Sequence, residues 1–180
     1  GYFQPDPIIN QGRSVAISND PRTWPDAWYD KINDPDDPGW SGFWNGFFGK
    51  APFADQESYV VYDDNFYDAW NYYPDNRDNT RRGLGMRIEQ RGFQWANPQA
   101  GLVIFFHYDI TNESTTDYSN NILFGLYMDS GVGGSAIGID GIPESDDDNA
   151  FFDSEIGLNL VYTWDKSGNG FIGPTGYLGY

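Results

Sequence analysis

The sequence contains no cysteine, which excludes disulfides, thiolate metal sites and cysteine nucleophiles. Positive charge is scarce: 10 Lys and Arg stand against 27 Asp and Glu, for a net charge of −17. Phosphate recognition needs a basic footprint, so nucleic acid is not an expected partner. An anionic membrane surface would repel the chain for the same reason. No run approaches the roughly 20 apolar residues of a membrane span, and no signal-peptide pattern is present. Membrane insertion is therefore not expected. No segment carries a sustained helical stripe, and no internal repeat is visible.

Aromatic residues fill the gap left by sparse aliphatics, with 7 Trp, 13 Tyr and 13 Phe in 180 residues. Each can bury on the order of 150–250 Å². A folded core is therefore expected despite a mean hydropathy of −0.62. The length suits one domain and a small lobe.

Residues 1–54 are punctuated by Gly, Pro, Asn and Asp, as in Ser18-Asn19-Asp20-Pro21 and Asp34-Pro35-Asp36-Asp37-Pro38-Gly39, which set turns. The same segment holds Trp24, Trp28, Trp40, Phe43, Trp44, Phe47 and Phe48. We expect an extended aromatic-rich arm that packs on its own domain or on a neighbour. The alternative is an exposed platform, with Trp24, Trp28, Trp40 and Trp44 stacking on a glycan or partner.

From Ser58 the pattern turns to strands. Ser58–Asp63 is aromatic and β-branched. Leu84, Met86 and Ile88 alternate with Gly85, Arg87 and Glu89. Leu102–Ile110 is apolar on both faces at its start, as in a central strand covered twice. Asn121–Met128 reads as a further strand, and Leu158–Trp164 as another. Asp64–Tyr73 has room for one or two helical turns. The fold class expected is all-β: an antiparallel β-sandwich over 55–180 with long loops, preceded by the arm. The chain opens at Gly1 without Met and closes on Gly176–Tyr180, which looks like a strand beginning. We expect the native chain to continue.

Several stretches resemble a large group of uncharacterised secreted bacterial proteins, often type IX secretion cargo. They are Ser18-Asn-Asp-Pro-x-x-Trp24-Pro-x-x-Trp28, Trp44-Asn-Gly-x-Phe48-Gly and Ala54-Asp-Gln-Glu-Ser-Tyr59. They continue with Arg82-Gly-Leu-Gly85, Arg91-Gly-x-Gln94-Trp95, Tyr108-Asp-Ile-Thr-Asn112, Phe124-Gly-x-Tyr127 and the acidic run Asp146–Asp148. The resemblance is to the N-terminal part of such proteins. It implies an extracellular or cell-surface location and further β-sandwich domains beyond this one. It carries no catalytic residue.

Two acidic segments are candidate cation sites. Asp165-Lys-Ser167-Gly-Asn169-Gly170 places side-chain oxygens at alternate positions before a glycine, as in the first half of a calcium loop. The Glu at position twelve is missing, because Gly176 stands there. A plain Asx-rich turn is the competing reading. Asp140, Glu144, Asp146, Asp147, Asp148, Asp153 and Glu155 form the second cluster, whose repulsion a divalent cation would relieve; a solvated loop is the ordinary alternative. Half of the basic residues, Arg77, Arg81, Arg82, Arg87 and Arg91, lie together and suit carboxylate pairing inside the chain or between subunits.

His107, the sole histidine, sits within the strongest strand and reads as structural. No Gly-x-Ser-x-Gly elbow is present. Gly131-x-Gly133-x-x-Ala136 lacks the helix that a dinucleotide site needs. A glycoside hydrolase fragment needs only two spaced carboxylates, and nothing selects a pair among 27. We expect a non-catalytic structural or assembly module, such as a subunit of a fibre or layer. It would associate with itself or with other surface proteins. A calcium-supported glycan-binding module is the alternative.

Overall fold

The computed structural model of the protein describes residues 3–65, 72–135, 137–138, 141–155, 157, 159–170 and 173–180. Two compact units are present, Gly1–Asn120 and Asn121–Tyr180. The helical turns expected between Asp64 and Tyr73 fall mainly on 66–71, and Asp140 and Leu158 also lie outside the described residues. Described structure is all-β, with antiparallel sheets and short 3-10 turns. No helix among the described residues is long and apolar enough to cross a membrane.

The first unit is built on one five-stranded sheet. Its strands are β1 (Gln4–Pro5), β2 (Ala16–Ile17), β3 (Gln56–Asp63), β4 (Met86–Gln94) and β5 (Ile104–Asn112). The two-residue strands β1 and β2 both pair with β3, and the order then runs β3-β4-β5. Register places Glu57, Phe93 and Phe105 in one row, and Tyr59, Arg91 and His107 in the next. Strands alternate their side chains, so these rows share one face.

That face is covered by the N-terminal segment, not by a second sheet. Trp28 and Trp44, 1% and 2% exposed, pack with Ala16, Tyr59 and Val61, and Trp24, Trp40 and Ile9 close around them. Ring centroids are 5.4 Å apart for Trp28–Trp44 and 5.5 Å for Trp28–Tyr59, both edge-on, the arrangement that aromatic quadrupoles favour. An indole is buried well only if its N–H finds an acceptor. Trp24 Nε1 donates to Ile17 O at 2.7 Å and Trp28 Nε1 to Phe43 O at 2.8 Å. Trp44 Nε1 reaches Glu57 Oε2 at 2.6 Å and Trp40 Nε1 reaches Asp34 Oδ2 at 2.8 Å. Asn10 extends the docking: its amide donates to Val61 O at 2.8 Å and accepts from Val61 N at 3.1 Å.

Two strand expectations are corrected. β5 is not a central strand: among the described residues it pairs only with β4 and ends the sheet. Its apolar residues on both faces are exposed, Ile104, Phe105, Phe106 and Ile110 among them. Asn121–Met128 forms no strand, and its residues are exposed throughout. An alternating pattern specifies a strand only where a neighbour supplies hydrogen bonds.

The second unit contains β6 (Asn149–Asp153), β7 (Leu160–Trp164), β8 (Asn169–Gly170), β9 (Gly173–Pro174) and β10 (Tyr177–Gly179). β7 lies between β6 and β10, while β8 and β9 form a small hairpin. Ser130 Oγ and Tyr180 OH both hydrogen-bond to Thr163 Oγ1, at 2.7 and 3.0 Å, which fastens the two flanking segments to the central strand.

Candidate functional site

The pairing of β6 with β7 brings the two acidic segments together. Asn149 stands opposite Trp164, so continuing that register puts Asp148 opposite Asp165. The turn Glu144–Asp146 leads into β6, and the loop from Asp165 leaves β7 at the same end. Glu144, Asp147 and Asp165 each present a carboxylate oxygen, all within 4.8 Å of one another.

Asp165 is the deepest of the three, 3% exposed. Its Oδ1 accepts from Ser167 Oγ at 2.8 Å and from Asn169 N at 3.2 Å. Its Oδ2 is buried and has no hydrogen-bond donor, and the same holds for Asp147 Oδ1 and Asp148 Oδ1. Burial raises the Asp165 carboxyl. The Ser167 hydroxyl and the backbone N–H groups of Asn169, Gly168 and Ser167 outweigh it and hold the group below the usual aspartate range. Ser167 Oγ also lies 3.0 Å from Glu144 Oε2. One hydroxyl proton cannot serve two carboxylates at once. No Lys or Arg forms an ion pair with Glu144, Asp146, Asp147, Asp148 or Asp165 among the described residues.

Gly133 forms the wall of this cluster. Its φ is +89°, and a Cβ there would stand 2.8 Å from Asp165 Oδ2 and 3.0 Å from Asn169 O. Only glycine lets the backbone come this close.

The sequence-expected metal residues are sorted by this geometry. Asp147 and Asp165 join the cluster, and Ser167 touches it. Asn169 contributes through its backbone, since its side-chain amide donates to Ser167 O at 3.2 Å. Asp148 Oδ2 is committed to Val132 N at 2.8 Å. Asp146 is exposed and outside the cluster, a correction explained by the turn directing it away. Nothing in the sequence distinguishes Glu144 as a ligand within its acidic run. The signal that finds it is the hairpin register, which a one-strand reading does not contain.

The glycan platform is corrected more sharply. Trp28 and Trp44 are core residues and offer no face to a sugar. Trp24 packs on both, at 6.4 and 5.6 Å. Trp40 carries Lys31 Nζ at 4.8 Å and Lys50 Nζ at 5.5 Å from its ring centroid. The arginines also find partners within the first unit. Arg77 pairs with Asp75, and Arg81 with Asp63, Asp64 and Glu113. Arg87 pairs with Glu89 and Glu113; Arg91 holds the Asn45 carbonyl and lies 3.8 Å from Asp30. Arg82 donates its backbone N–H to Asn65 Oδ1 at 2.8 Å. Pairing between subunits through Arg81, Arg87 and Arg91 would break these internal contacts.

A second surface lies along β5. On one face Phe106 and Ile110 are 54% and 45% exposed, flanked by half-buried Tyr62, Ile88 and Tyr108. On the other, His107 Nδ1 stands 3.8 Å from Asp109 Oδ2, and Phe47 packs edge-on against the His107 ring at 5.5 Å. His107 thus lies beside an exposed aromatic group that includes Phe47, Phe48 and Phe53.

No family model, no curated protein and no solved structure matches the chain.

Proposed function

We propose that this chain is a non-catalytic structural and assembly module of a secreted or cell-surface protein, and that it associates with a second copy through β5. The observation that carries the reading is the open β5 edge. Among the described residues β5 is hydrogen-bonded as a strand to β4 alone, and apolar side chains are exposed on both its faces. Such an edge is a template for pairing with another chain.

The sequence of β5 suits pairing with itself. An antiparallel contact between two copies has twofold symmetry, so the same patch serves both. With Tyr108 on the axis, Phe106 faces the partner's Ile110 and His107 faces the partner's Asp109. Aromatic–β-branched pairs are favourable cross-strand combinations, each contributing roughly 0.2–1 kcal/mol, and an imidazole N–H can donate to a facing carboxylate. The open edge would become the middle of a continuous sheet.

Sedimentation velocity over a range of protein concentrations tests this. The chain is expected to pass from monomer to dimer, and Ile110→Lys to remain monomeric with an unchanged circular dichroism spectrum. A chain that stays monomeric at all concentrations, or an Ile110→Lys variant that dimerises as the parent does, would refute the reading.

A further inference from the structure

The second unit carries a feature that β5 pairing neither needs nor explains. Three carboxylates converge at one end of the β6–β7 hairpin, and the deepest of them, Asp165, 3% exposed, holds a buried Oδ2 that no hydrogen-bond donor reaches. Burying an unpaired charge is costly, and gathering like charges adds to the cost. A polar group left in that state calls for a ligand of opposite charge.

We propose that Glu144, Asp147 and Asp165 bind one divalent cation, and that the site is selective for calcium. Oxygens that share a calcium at about 2.3–2.6 Å lie at most about 5 Å apart. Carboxylate oxygens that all lie within 4.8 Å of one another therefore fit one ion between the three groups. The donors are all hard oxygens, with no imidazole or thiolate, which disfavours zinc and copper. Neutral oxygens stand close by to enlarge the shell. Ser167 Oγ contacts both Asp165 and Glu144, and Asn169 O borders the glycine wall. Six to eight oxygens in a loop-built shell suit calcium, whereas magnesium demands a tight octahedron.

The bound ion would supply the partner that Asp165 Oδ2 lacks. Asp165 Oδ1 keeps its hydrogen bonds while Oδ2 takes the ion. Ser167 no longer has to satisfy two carboxylates. The ion would tie the turn before β6 to the loop after β7. Calcium binding should therefore stiffen this end of the hairpin.

The test is calorimetric titration of the whole chain, stripped with a chelator, using calcium chloride and then magnesium chloride. One calcium per chain is expected, with an affinity in the range of modest sites, about 10⁻⁴–10⁻³ M. Glu144→Gln, half-exposed and therefore tolerated by the fold, should weaken calcium ~10–100-fold, the loss typical of altering a metal site's supporting groups, or more. Asp165→Asn should do the same, and Asp146→Asn, outside the cluster, should change nothing. No calcium uptake at millimolar concentration would overturn the proposal. So would a Glu144→Gln variant that binds as tightly as the parent, or magnesium binding as tightly as calcium. Dimerisation by β5 is read in the other unit and by another method, so either idea can fail alone.

Discussion

Glu57 shows how one buried charge can organise an irregular segment. Its carboxylate, 2% exposed, accepts from Trp44 Nε1 at 2.6 Å, Phe53 N at 2.7 Å and Ala54 N at 3.1 Å. Three donors from the segment before β3 are thus satisfied by a side chain on β3 itself. Removing the acceptor leaves Trp44 Nε1 and Ala54 N buried without a partner and Phe53 N part-buried, at about 1–3 kcal/mol for each buried donor. Glu57→Ala should therefore destabilise the first unit by about 3 kcal/mol or more, and Glu57→Gln by less, because it keeps one oxygen. Urea denaturation followed by tryptophan fluorescence measures both. The arm's aromatic content made its docking legible in the sequence, since so many rings demand burial. Which rings would be innermost was not legible. Trp28 and Trp40 look alike as text, yet one is core and the other is capped by two lysines. The difference lies in where the turns place them.

At the scale of elements, β3, β4 and β7 stand where aromatic, β-branched and alternating residues mark them. β5 is a strand, as its apolar run predicts, but it ends the described sheet instead of lying within it, because an apolar run reports what its faces want and not what they have. The carboxylate cluster was legible in halves. Each acidic segment could be marked, but their meeting depends on the β6–β7 register, a long-range fact. The tight turn within loop 45–51 is not legible from its sequence either. Asn45 is fully buried, its amide donating to Asp30 Oδ1 at 2.7 Å while its carbonyl receives Arg91. Gly46 then turns so tightly that a Cβ would stand 2.1 Å from Ala51 O and 2.7 Å from Gly49 O. Backbone oxygens cannot rotate away as a side chain can. Gly46→Ala should cost about 1–3 kcal/mol, the usual range for overpacking. A lowered thermal midpoint, with increased amide exchange at Asn45 and Arg91, is the expected sign.

For the molecule as a whole, charge is the dominant global term. A net charge of −17 opposes compaction through self-repulsion. Raising sodium chloride from about 0.01 M to about 0.15 M shortens the Debye length from about 30 Å to about 8 Å. The thermal midpoint should rise over that range in the presence of a chelator, which separates screening from calcium binding. An insensitive midpoint would mean that the internal pairs of Arg81, Arg87 and Arg91 already neutralise what matters. Symmetry sets a further limit. A twofold contact through β5 closes on itself and gives a dimer, so a fibre or layer requires a second, different contact. The indole cluster has an optical consequence. Trp24, Trp28 and Trp44 lie 5.4–6.4 Å apart in fixed, unequal orientations, so their electronic transitions couple. Among the described residues such indole pairs occur only in the first unit. Its tertiary packing therefore writes a chiral signal of its own, one that fades when the rings loosen even if the strands stay paired.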